Sequence, residues 1–105
     1  MTDSDEKTVS LLAAIWQRNR ALVEERLALL DRAASAAAAD SLDDLLRQEA
    51  GSTAHKLAGS LGMYGYDEGT RIARQMEVLL GDSAPDAARL GELVTALRRA
   101  IFPEG

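Results

Sequence analysis

The sequence predicts an all-α fold, an antiparallel four-helix bundle, on three observations. Alanine and leucine dominate, β-branched residues are scarce, and the two prolines both fall in the last quarter, a mixture that favours helix over strand. Apolar residues recur at helical spacing in successive stretches separated by polar or glycine-containing breaks. Those breaks are only a few residues long, so consecutive helices should run antiparallel. With 105 residues, 47% of them hydrophobic and 28% charged, residues 1–105 read as one helical domain with a real core.

Residues 1–7 are a polar lead, expected to fray, with Ser4 or Asp5 able to cap the first helix. From Thr8 the apolar positions Val9, Leu12, Ile15 and Trp16 mark one face, continued by Leu22, Val23, Leu27, Leu30 and Ala34. The polar run Gln17-Arg18-Asn19-Arg20 interrupts them. Residues 8–38 therefore form either one long helix or a short additional N-terminal helix and then a longer one, and the sequence leaves both open.

Asp40-Ser41 ends that element, and Ser41 with Asp44 resembles a capping box for the second helix. This helix should run to Gly62 or Tyr64, with Gly65 as the left-handed residue that closes it. Asp67 is the expected N-cap of the third helix, which turns Ile72, Met76, Leu79 and Leu80 inward and ends at Gly81. Ser83-Ala84-Pro85 opens the fourth, with proline in its first turn. Leu90, Leu93, Val94, Leu97 and Ile101 form its stripe, and Pro103 stops it.

Much is excluded. A net charge of −5 argues against nucleic acid and anionic membrane as partners. There are no cysteines, hence no disulfide, thiolate nucleophile or thiolate metal site. No run of about 18 apolar residues exists to span a bilayer. The acidic start is unlike a signal peptide, so the chain reads as cytoplasmic. A di-metal carboxylate bundle needs paired Glu-x-x-His motifs. Here Ser52 stands three residues before His55 and no second histidine exists, so neither a metal site nor a cofactor is expected. No phosphate-cradling glycine loop and no nucleophile elbow occurs.

That leaves His55 itself. On a helix at about 100° per residue, Leu46, Ala50, Thr53, Leu57 and Tyr64 lie roughly opposite it, with Leu42 and Leu61 on the flanks. Gln48, Gly51, Gly59 and Gly62 fall within about 40° of it and Ser52 within about 60°. Each helical glycine loses about 0.8–1 kcal/mol relative to alanine, a large sum for a domain stable by about 5–15 kcal/mol. Either the glycines admit a neighbouring helix of the bundle, or they admit another molecule to the histidine. An imidazole with an ordinary pKa near 6.5 is largely neutral at pH 7 and nucleophilic. It suits a phosphoryl relay, given polar groups such as Gln48, Ser52, Lys56 or an arginine of the third helix to steady the oxygens. The plain alternative is a surface histidine without a role.

The run Ala54-His55-Lys56-Leu57-Ala58-Gly59-Ser60, then Gly62 and then Ala73-Arg74-Gln75-Met76-Glu77-Val78-Leu79-Leu80, resembles the signature of the histidine-containing phosphotransfer (HPt) domain family. The likeness covers residues 40–80 in detail and the whole chain in architecture. It implies a four-helix bundle whose His55 is the phosphoacceptor, exchanging phosphoryl groups with aspartates of response-regulator receiver domains. It further implies a monomer with no catalytic activity of its own, fed by receivers or a hybrid histidine kinase, the receiver bringing the Mg²⁺. Gly59 would be the small residue that admits the receiver. The family often has lysine three residues after the histidine, where this chain has Ala58. Lys56, Gln48, Ser52 or Arg71 would then steady the phosphoryl group. The alternative function is an HPt-like module that docks a receiver or helical partner without carrying phosphate.

Overall fold

Four helices make up the computed structural model, which describes residues 3–103: α1 (Asp3–Ala38), α2 (Asp44–Met63), α3 (Asp67–Leu80) and α4 (Ala87–Ile101). Helices adjacent in sequence pack together, and α1 closes the ring against α4. The backbones of the diagonal pairs do not approach each other closely among the described residues, which is the arrangement of an up-down-up-down bundle.

Residues 8–38 belong to one helix, so the additional N-terminal helix is not present. The polar run that suggested a break is accommodated inside α1. Asn19 donates its side-chain amide to the Ile15 carbonyl (2.9 Å) and to the Tyr64 hydroxyl (3.1 Å). Arg20 pairs with Glu24 at 3.3 Å and lies over the Phe102 ring, 4.6 Å from its centroid. The helix is already formed at Asp3, so Ser4 and Asp5 lie within it rather than ahead of it. The first two residues of the frayed lead fall outside the described residues.

Capping moved three predicted helix starts. Ser41 Nα donates to the Ala36 carbonyl (2.8 Å) and Asp40 Nα to that of Ala37 (3.1 Å), with Asp40 at φ 54°, closing α1 in a Schellman-type turn. Ser41 is thereby engaged, its hydroxyl also donating to Ala36 (3.2 Å), and Asp43 caps α2 by accepting from Leu46 Nα at 2.7 Å. The same turn recurs at the end of α2, where Gly65 takes φ 80° as expected and Tyr66 Nα donates to the Leu61 carbonyl. Tyr66 then serves as N-cap of α3 without a side-chain bond, and Asp67 is the first helical residue, its charge favourable at the helix N-terminus. At α4 the cap is Asp86, which accepts from Arg89 Nα at 3.0 Å; Pro85 precedes the cap instead of sitting in the first turn.

The core is aliphatic. Leu27, Leu30, Leu57, Leu61, Met76 and Leu97 are wholly buried. At one end Trp16 packs against Tyr64, Tyr66 and Phe102, with ring centroids 5.2, 5.1 and 6.4 Å away. Beyond Trp16, residues 6–14 of α1 are exposed. A 36-residue helix is about 54 Å long, whereas its 20-residue neighbour α2 reaches about 30 Å, so α1 overhangs the bundle.

Candidate functional site

His55 stands at mid-length on α2 with its side chain 73% exposed. Its orientation is set by α3: Nδ1 lies 2.8 Å from a carboxylate oxygen of Glu77. An ionised carboxylate can only accept, so Nδ1 carries a proton, and in the neutral ring the lone pair is then on Nε2, directed away from Glu77. The antiparallel packing of α2 on α3 produces this meeting. Gly51 lies beside Leu80, and Ala58 accepts at its carbonyl from Thr70 Oγ1 (3.2 Å), so residues late in α3 face residues early in α2.

A cleft of about 460 Å³ opens next to the imidazole. Along α2 it is lined by Arg47, Gln48, Gly51, Ser52 and His55; along α3 it is bounded by Glu77 and closes at Leu80 and Gly81. Gln48 and Ser52, expected beside the histidine, are exposed on its wall. Gly59 and Gly62 are exposed on the same helix, toward the other end. Lys56 is exposed outside the cleft. Arg71 lies in a separate shallow depression with Arg74, Gln75 and Val78. It is held there by Glu68, to which Nε donates at 3.0 Å and Nη2 more closely. That hydrogen bond, more than the charge attraction, lowers the Glu68 carboxyl below its ordinary value and raises Arg71 above its own, with desolvation opposing both.

Whether the glycines serve packing or access has a steric answer. A Cβ at Gly51 meets only Leu80 Cβ, at 3.8 Å; one at Gly62 meets Thr70 Oγ1 at 3.5 Å; one at Gly59 meets nothing within 4 Å. These are ordinary contacts or open space, so the neighbouring helices do not require glycine at any of the three. Gly69 of α3 differs, since a Cβ there would press on Leu61 Cδ1 at 3.1 Å.

Two cleft residues were not singled out from sequence as site residues. Glu77 entered only as part of the motif, and Arg47 not at all, because neither shares a sequence neighbourhood with the histidine that marks it. Ala58 is buried, 5% exposed, against α3. The burial of Ala54 and Ala58 extends the core face of α2 further round than the large apolar residues alone suggested. Of the apolar residues near this end, Met63 is 82% exposed and Leu11 57%, while Tyr66 is partly covered by Trp16.

Comparison with known proteins agrees with the fold. A family model, that of the Hpt domain, matches residues 14–101. Protein RcaC of Microchaete diplosiphon is 30% identical over 104 residues, covering 95% of this chain and 16% of that protein, so the chain spans a small part of the relative's length. No solved structure matches.

Proposed function

The chain belongs to the Hpt domain family, whose members are phosphotransfer modules and carriers in phosphorelays, and on that premise we propose that His55 is its phosphoacceptor. The observation that carries the reading is the pairing of Nδ1 with Glu77 on an exposed ring, which in the neutral imidazole puts the lone pair on Nε2. In the reaction, Nε2 attacks the phosphorus of a receiver's aspartyl phosphate. The N–P bond forms as the acyl phosphate P–O bond breaks, and the aspartate leaves as a carboxylate. The imidazole gains a positive charge, its proton remaining on Nδ1 against the Glu77 carboxylate. Donation to the next receiver is the reverse.

The electrostatics of transfer belong to the receiver, which brings the aspartate and Mg²⁺; this chain contributes a nucleophile of fixed tautomer on a rigid helix. Gly59 and Gly62 keep the approach low, Gln48 and Ser52 meet the phosphoryl oxygens, and Lys56 and Arg71 meet the receiver at the rim. The carrier acts as a monomer in the cytoplasm.

Incubation with a phosphorylated receiver domain should place an acid-labile, alkali-stable phosphate on the chain, and His55→Gln should remove it. Label that persists in the variant overturns the assignment. Receiver binding with no label in the wild type favours a docking module that does not carry phosphate.

A further inference from the structure

Among the described residues Arg47 is the only lysine or arginine lining the cleft beside His55, and its guanidinium is incompletely satisfied. Nη1 donates to the Leu80 carbonyl at 2.9 Å, and Nη2 reaches Asp44 at a long 3.4 Å. Nε is buried and has no hydrogen-bond partner. The side chain as a whole is 14% exposed. A buried donor left unmade is disfavoured and calls for an account.

The spacing suggests one. Arg47, Gly51 and His55 stand at i, i+4 and i+8, one ridge of the helix. His55 leans over the turn N-terminal to its own Cα, the turn that holds Gly51. Gly51 is the ridge position between Arg47 and His55 and carries no side chain. Packing does not require glycine there, since a Cβ would meet only Leu80 at van der Waals distance.

We propose that Arg47 holds the phosphoryl group of phospho-His55 across the gap left at Gly51, taking the place of the absent lysine at position 58. The proposal rests on His55 being the phosphoacceptor. A phosphoryl group brings a charge of about −1.5 to −2 into a cleft whose one carboxylate, Glu77, already serves Nδ1. Lys56 is outside the cleft, Ala58 is buried, and Arg71 is held by Glu68. Arg47 can keep Leu80 on Nη1 while Nε and Nη2 turn to the phosphoryl oxygens, giving up only the long contact to Asp44. Charge drawn from those oxygens slows expulsion of the metaphosphate-like unit from nitrogen, so the phosphohistidine should last longer.

The test loads the full chain with phosphoramidate, a small donor that needs no receiver, and tracks the phosphohistidine by ³¹P NMR. Arg47→Gln should shorten its lifetime on the order of tenfold, the range of one charge-assisted hydrogen bond, and Arg47→Lys should recover part of the loss. Gly51→Leu, which keeps Arg47, should shorten it as well. In the wild type, the Arg47 Nε–H resonance should move downfield on phosphorylation, a readout that needs no variant and covers the case in which Arg47→Gln fails to fold. Unchanged lifetimes in Arg47→Gln and Gly51→Leu, a lysine variant no better than the glutamine one, or a stationary Nε–H signal overturns the role of Arg47. Failure of the wild type to take up phosphate at His55 from either phosphoramidate or a receiver overturns the phosphocarrier reading instead.

Discussion

Glu77 of α3 meets His55 of α2 at 2.8 Å, carboxylate oxygen to Nδ1, although 22 residues separate them in sequence. The contact does two things at once. It fixes the ring's rotation and it fixes which nitrogen is free.

Glu77→Ala should therefore slow phosphorylation of His55 by about tenfold, the scale of a lost charge-assisted hydrogen bond, and Glu77→Gln by less, since its amide oxygen can still accept from Nδ1. Both variants should fold normally, because the Glu77 side chain is 40% exposed. Labelling rates measure the first effect. Nitrogen-15 NMR of the imidazole measures the second, with the proton confined to Nδ1 in the wild type and shared between the two nitrogens in Glu77→Ala.

Gly59→Ala should stabilise the isolated domain by about 0.8–1 kcal/mol, the difference in helix propensity, because the added Cβ meets nothing within 4 Å. A bulky residue such as Gly59→Leu should leave folding intact and impair transfer from a receiver, while labelling by a small donor stays near the wild-type rate. Urea unfolding and the two labelling assays separate access from stability. Equal losses with both donors would mean that the glycine serves the imidazole rather than the approach.

Asp43→Ala should destabilise the bundle by about 1 kcal/mol, within the 0.5–2 kcal/mol span of N-cap losses, since its carboxylate accepts the Leu46 amide at 2.7 Å. Ser41→Ala should cost less, as its hydroxyl adds only a 3.2 Å bond to Ala36. Chemical denaturation compares them directly. The reverse order would return the cap to Ser41.

The Glu68–Arg71 pair carries a pH dependence of known sign. Hydrogen bonding to Arg71 puts the folded carboxyl below its ordinary value of 4.5. The stability it contributes is thus present above that value and lost as pH falls through the lower folded value. Wild type should melt above Glu68→Gln at pH 7 in low salt and converge with it as the carboxylate is protonated. The pair is exposed and spaced i, i+3, so the margin is small and high salt should erase it. Thermal melts of both proteins across pH and salt check this.

Much of this molecule is legible along the chain. The stripe Leu90, Leu93, Val94, Leu97 and Ile101 is buried as its spacing requires, and Gly65 takes the left-handed conformation that closes α2. Local competition was harder to read. Ser41, Asp43 and Asp44 are all capping residues by type, and what decided among them was the Schellman-type turn of the preceding helix, which engages Ser41 first. One helix or two stayed open across the polar run 17–20 because the Tyr64 partner of Asn19 lies 45 residues away.

By itself, the sequence determined that helices form, which stripe of α2, α3 and α4 faces the core, and that a lone histidine lies on a glycine-rich face, whereas Val9, Leu12 and Leu22 of the expected α1 stripe are exposed. Those properties depend on residues three or four apart, and helical periodicity carries them. Only the tertiary structure decided what surrounds that histidine. The register of α2 against α3 brings Glu77 to Nδ1, sets Leu80 against Gly51 and the Arg47 guanidinium, and buries Ala58. A register is the joint result of both helix surfaces and the turn between them, so no single stretch of the chain encodes it.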